Sequence, residues 1–185
     1  CASASGPFVN RLSGANRIIV TATKSGTEQN FARFGKFFAA AVASTDSDLD
    51  HDDEVSVFEA FLSASDAVQQ FYELEDRIST EHALLDDNGD GKGTPSKMFR
   101  GARAIGVAKD SAELDGKRSS RITLALSDDR LRLTPEELAE RDEIERLLDE
   151  LRSKKNDLDQ QQYESQLEPL LIRMAQVYRA AELRN

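Results

Sequence analysis

The residues best suited to chemistry lie between Asp48 and Glu59, where oxygen-bearing side chains recur at fixed intervals. Asp48, Asp50 and Asp52 occupy positions 1, 3 and 5 of a twelve-residue frame. Glu54 falls at position 7, where its backbone carbonyl would serve, and Ser56 at position 9, where a hydroxyl often acts through water. Glu59, at position 12, can close a site with both carboxylate oxygens. Calcium is a hard cation that takes about six to eight oxygens, several of them charged, and an EF-hand-type loop delivers them at this spacing. Val55, at position 8, is the apolar residue such loops turn inward. Position 6 is Asp53 where the pattern wants Gly, because the turn there needs positive φ. Aspartate tolerates that region better than most residues, so a formed but weaker site is expected. The competing reading is a solvated acidic connector between two helices.

A second acidic segment holds Asp86, Asn88 and Asp90 ahead of Gly91, spaced as DxNxDG. Glycine sits where the turn needs it and Thr94 falls at position 9, but position 12 is Lys97, so the bidentate carboxylate is missing. Both a half-site for a cation and an Asx-rich turn held by its own side chains fit this pattern. The candidate nucleophiles are Cys1 and Ser3, and the only histidines are His51 and His82. Each histidine lies beside acidic residues. His82 reads as a capping or turn residue, and His51, at position 4 of the first loop, should face solvent.

Composition narrows the classes. With 24 Lys and Arg against 34 Asp and Glu, the formal net charge is −10. Phosphate backbones require a basic surface, so nucleic acid is not an expected partner. No apolar run approaches the roughly 18 residues of a membrane helix. A single Cys excludes an internal disulfide and any multi-cysteine metal site. The chain of 185 residues suffices for one domain with a core plus an appendage. It opens on Cys1 with no leader pattern, and the expectation is that it begins within a longer protein.

Several elements must position these residues. Residues 1–16 read as loop with at most one short helical turn. Arg17 to Thr23 is a short β-branched run of the kind buried in parallel sheets. Phe31, Phe34, Phe38, Ala41 and Val42 then recur at helical spacing, predicting a helix that ends near Ser44. Phe58, Phe61, Leu62, Val68 and Tyr72 predict another, running to about Arg77. Residues 80–96 are turn-rich, and Arg121 to Leu126 alternates as an edge strand. Thr134-Pro135-Glu136-Glu137 signals a helix start, and the apolar stripes from Leu138 to Leu151 and from Tyr163 to Tyr178 predict an antiparallel helical hairpin, with Pro169 kinking its second member.

The order of motifs at the N-terminus carries a resemblance. Ser3-Ala4-Ser5-Gly6, then RIIVTAT, Glu28 and FARFGKFF resemble caspase-like cysteine peptidases, closest to the legumain-like branch seen in bacterial homologues. The resemblance covers about residues 1–105 and includes the D-x-D-x-D segment before Glu59-Ala60-Phe61 and the stretch Glu81 to Gly91. It implies a nucleophile in a C-x-S-G loop after a sheet strand, and a catalytic histidine in an H-G sequence after an earlier strand. Aligned on Ser5-Gly6, Ser3 takes the nucleophile position and Cys1 lies two residues too early. Neither histidine stands in an H-G context, so a base would have to come from sequence upstream.

These observations predict an α/β chain: the C-terminal part of a caspase-like α/β/α sandwich over residues 1–110, containing the calcium loop 48–59. A connector over 111–133 and a helical hairpin over 134–185 complete it. Two functions compete: part of a calcium-binding peptidase homologue acting on peptide bonds, or a catalytically inactive, calcium-stabilised binding or scaffolding domain. Calcium is the one cofactor implied, and a peptide or protein the expected substrate or partner. An extracytoplasmic setting, where calcium is plentiful enough to fill an imperfect loop, is the expected location. A stand-alone sensor fits poorly, since sensors pair complete loops and expose Met-rich grooves, and this chain has two Met.

Overall fold

A computed structural model describes residues 1–50, 52, 54–101, 103–105, 114–126, 133–155 and 157–184. His51 and Asp53 lie outside them, as do residues 106–113 and 127–132. The fold is mixed α/β and divides into two compact units, Cys1–Asp128 and Asp129–Asn185.

The first unit opens with a one-turn helix α1 (Phe8–Leu12) and strand β1 (Ile19–Thr21). Helix α2 (Phe34–Val42) begins later than the Phe stripe predicts, because Phe31 is 77% exposed and not part of the core. The start is fixed by a remote carboxylate. Glu81 accepts the backbone N–H of Arg33 at 2.8 Å and of Phe34 at 2.9 Å, which satisfies amides that a helix start leaves unpaired. Strand β2 (Glu54–Ser56) leads directly into α3 (Val57–Leu74). The two helices pack through Phe34 and Phe61, whose ring centroids lie 6.3 Å apart, around a core that includes Phe58, Ala60, Val68 and Leu85.

Strands β3 (Leu84–Asp86) and β4 (Thr94–Pro95) complete a three-stranded sheet in the order β1-β3-β4. The register Ile19↔Asp86 and Thr21↔Leu84 is antiparallel, which corrects the parallel arrangement expected for this run. Two helices separate β1 from β3. A parallel neighbour needs one crossover that returns the chain to its starting end, and a second helix delivers it to the opposite end. A short hairpin, β5 (Phe99–Arg100) and β6 (Arg103–Ala104), follows. Strand β7 (Thr123–Leu126) then pairs antiparallel with β2, Val55 opposite Ala125. Residues 114–126, expected as connector, are therefore integral to the first unit.

The second unit is the helical hairpin. Helix α4 (Pro135–Ser153) starts on a capping box in which Thr134 Oγ1 accepts the Glu137 N–H and Glu137 accepts the Thr134 N–H. Helix α5 (Gln160–Glu182) starts on a second box made by Asp159 and Gln162 and runs through Pro169 as one helix. Ile144, Leu148 and Val177 form the buried seam, flanked by Leu167, Leu170 and Met174. Arg173 pairs with Glu140 across the seam at 2.5 Å.

Candidate functional site

The first acidic loop leaves α2 through a single 3-10 turn (Thr45–Ser47) that Ser44 caps, then passes into β2. Side-chain oxygens of Asp48, Asp50 and Asp52 all lie within 4.8 Å of one another, so this cluster could hold a metal ion. The loop is shaped by Asx contacts: Asp48 Oδ1 accepts the Asp52 N–H at 3.1 Å, and Asp52 Oδ1 accepts the Glu54 N–H at 2.8 Å. Oxygens at a shared calcium, each about 2.3–2.6 Å from it, stand no more than about 5 Å apart, and the observed spacing meets that limit.

Glu59 is buried at 3% exposure and reaches back to the same loop. Its Oε1 accepts the backbone N–H of Leu49 at 2.8 Å and of Asp50 at 3.3 Å. Its Oε2 accepts the Ser56 N–H at 2.9 Å and the Ser56 hydroxyl at 2.8 Å, completing the capping box of α3. Of the six residues read as ligands, three are thus gathered by side chain, and Glu59 is tied to the backbone of their turn. Ser56 caps the helix and Glu54 lies in β2, its carboxylate hydrogen-bonded by the Thr123 hydroxyl. The β2–β7 pairing anchors the rear of the loop, a partnership the sequence did not announce.

The second acidic segment is built differently. Asp87 is heavily bonded through one oxygen: its Oδ2 accepts the N–H groups of Gly116, Arg118 and Ser119 and the Ser119 hydroxyl at 2.7–3.0 Å. Facing it, Asp115 accepts the N–H groups of Asp87 and Asn88 through Oδ1 and the Thr94 hydroxyl through Oδ2, at 2.6 Å. Burial pushes the Asp115 carboxyl up to about 6, its hydrogen bonds from Thr94, Asp87 and Asn88 opposing the rise and the nearby Asp87 charge adding to it. Sequence reasoning missed this pair. Asp87 is hidden inside a motif read for its neighbours, and Asp115 stands in a stretch with no motif spacing around it.

The nucleophile candidates are not joined to a base among the described residues. Ser3 donates to the Asn30 carbonyl at 2.5 Å and accepts the Ala32 N–H at 3.3 Å. Cys1 is exposed, next to Gly35, where an added Cβ would fall 2.8 Å from the cysteine Cβ. Ala4, between Ser3 and Ser5, holds φ +55°, a left-handed conformation rare for alanine. Buried Ser5 bonds Thr23 and accepts the Ala22 N–H, which ties the loop to the end of β1. His82 Nδ1 contacts Glu28 Oε1 at 2.5 Å, an ion pair when the imidazole is protonated. A cavity of about 400 Å³ lies alongside, lined by Lys24, Phe34, Val68, Tyr72, Glu81 and His82 among others. No helix of the described residues is long and apolar enough to cross a membrane. No family model, curated protein or solved structure matches the chain.

Proposed function

We propose that the first unit is a calcium-stabilised binding domain, similar to the caspase-like and legumain-like peptidases in the order of its motifs but with no nucleophile joined to a base among its described residues. The observation that carries this reading is the convergence of Asp48, Asp50 and Asp52 within 4.8 Å in a turn whose backbone Glu59 already grips. An all-oxygen, carboxylate-rich donor set suits calcium over the softer transition metals, which favour imidazole and thiolate. On binding, the ion would offset two of the three negative charges held close together by Asp48, Asp50 and Asp52 and lock the entry to α3. The cavity beside His82 has the size of a ligand pocket and would receive a side chain of a bound peptide.

The runner-up reading, a peptidase acting on peptide bonds, needs Ser3 or Cys1 to be activated. It is the weaker one because the Ser3 hydroxyl is occupied by the Asn30 carbonyl and the Ala32 amide.

The test is a thermal melt of the chain in millimolar calcium and in chelator, with Asp50→Asn as the control. A ligand bound only by the folded state adds RT ln(1 + [L]/Kd), so a Kd of about 0.1 mM gives roughly 1.4 kcal/mol at millimolar calcium. A rise of several degrees that Asp50→Asn reduces supports the reading. Cooperative melting with no calcium shift in the wild type overturns it and leaves the loop a solvated connector.

A further inference from the structure

Among the described residues of the first unit, one buried carboxylate oxygen has nothing to bond. Asp86 is 1% exposed, and its Oδ1 accepts the Gly89 N–H at 3.0 Å, which turns the carboxylate toward the 86–91 turn. Its Oδ2 has no hydrogen-bond partner among the described residues. Burying such an oxygen without a partner is costly, so its retention needs a cause. A second buried oxygen in the same condition, Ser13 Oγ, belongs to the segment that covers this turn. The two segments touch closely. A Cβ added to Gly89 would lie 3.1 Å from the Gly14 carbonyl oxygen, and one added to Gly91 would lie 3.6 Å from Asn10 Oδ1 and 3.9 Å from Ser13 Cβ. Both glycines adopt positive φ, +81° and +73°, so the turn is shaped to bring oxygens of residues 10–14 against it.

We propose that this junction is a second calcium site, formed by Asp86, Asn88 and Asp90 from the turn and by oxygens of the Asn10–Gly14 segment. The remote segment supplies what position 12, occupied by Lys97, does not. Calcium accepts such mixed sets of carboxylate, amide, hydroxyl and carbonyl oxygens. An acceptor-only carboxylate oxygen that lacks a donor is the group a cation satisfies directly. Asp115 prepares the turn by holding the N–H groups of Asp87 and Asn88, at 2.8 and 3.2 Å. The site would join the loop after α1 to the end of β3, stapling two segments far apart in the chain.

The experiment is a calorimetric titration of calcium alone into the full chain, as wild type, as the double variant Asp50→Asn, Asp52→Asn, as Asp86→Asn, as Asp90→Asn and as Ser13→Ala. The double variant should keep one equivalent of bound calcium. Adding Asp90→Asn, an exposed position where folding is not at stake, should weaken that equivalent at least about tenfold, since even outer partners of a metal site are worth about 10–100-fold. Asp86→Asn should do the same, and Ser13→Ala should weaken it measurably. A double variant that binds no calcium overturns this proposal while leaving the first site standing. A residual equivalent indifferent to Asp86→Asn and Asp90→Asn also overturns it. If wild type binds a single equivalent that survives the double variant and is lost in Asp90→Asn, the second site stands and the first reading fails.

Discussion

Replacing Glu59 by glutamine removes one carboxylate oxygen from a fully engaged group, and its effect should appear with no metal present. Oε1 serves the amides of Leu49 and Asp50, and Oε2 serves the amide and hydroxyl of Ser56. The glutamine keeps one oxygen, so it can retain one of these pairs. Its NH2 group must then face two donors, a backbone N–H and either a second N–H or the serine hydroxyl. Hydrogen bonds to a charged acceptor contribute about 1.5–3 kcal/mol each, and unpaired buried donors add to the loss. The amide recovers part of this if the Ser56 hydroxyl rotates to accept. A net cost of about 3 kcal/mol follows, which for a unit of this size lowers Tm by roughly 10 °C. The assay is a thermal melt by circular dichroism in excess chelator, wild type against Glu59→Gln, with a urea titration to fix the free energy. A variant that melts within about 2 °C of wild type in chelator would refute the reasoning, because the four donors would then not be satisfied by Glu59 in the metal-free fold. Glu59 is thus a poor control for calcium binding, and exposed Asp50 is the better one.

Other outcomes follow from the same coordinates. Glu81→Ala should destabilise the first unit by about 2–4 kcal/mol, since Arg33, Phe34 and Tyr72 all lose an acceptor at a buried helix start, and Glu81→Gln should recover part of that in a urea titration. The Asp115 carboxyl, held up near 6, keeps a proton in the folded chain that the unfolded chain has already lost between about pH 4 and 6. Its contribution to stability is therefore complete below about pH 4 and is lost as pH rises through 6; urea midpoints across this range should show that slope, and Asp115→Asn should flatten it. In the hairpin, Glu137 is held down to about 2, first by its hydrogen bond from Arg184 and then by the Thr134 amide. That contribution is present above about pH 4.5 and is lost as pH falls toward 2, so helicity should fade in acid and Arg184→Gln should narrow the difference. Thr134→Ala should cost the hairpin about 1 kcal/mol, read as a lower melting temperature.

Local grammar made part of this protein legible in its sequence. The Thr134-Pro135-Glu137 start, the apolar stripe of the hairpin and the helix from Val57 rest on spacing and caps within a few residues, and those signals are written in adjacent letters. The grouping of Asp48, Asp50 and Asp52 was legible for the same reason, because their spacing and the Asx contacts between them are local. Whatever depends on distant partners was decided by the tertiary structure. The start of α2 is set by Glu81, forty-seven residues beyond Phe34, so the Phe stripe alone placed it too early. The direction of β1 depends on two intervening helices, and the anchoring of the strand that follows the acidic loop depends on β7. The buried pair Asp87 and Asp115, and an Asp86 oxygen with no partner among the described residues, exist only once the chain has folded. Sequence spacing specifies which side chains share a turn; burial and long-range hydrogen bonds arise from packing, and packing determines which carboxylates are satisfied and which are left open to a ligand.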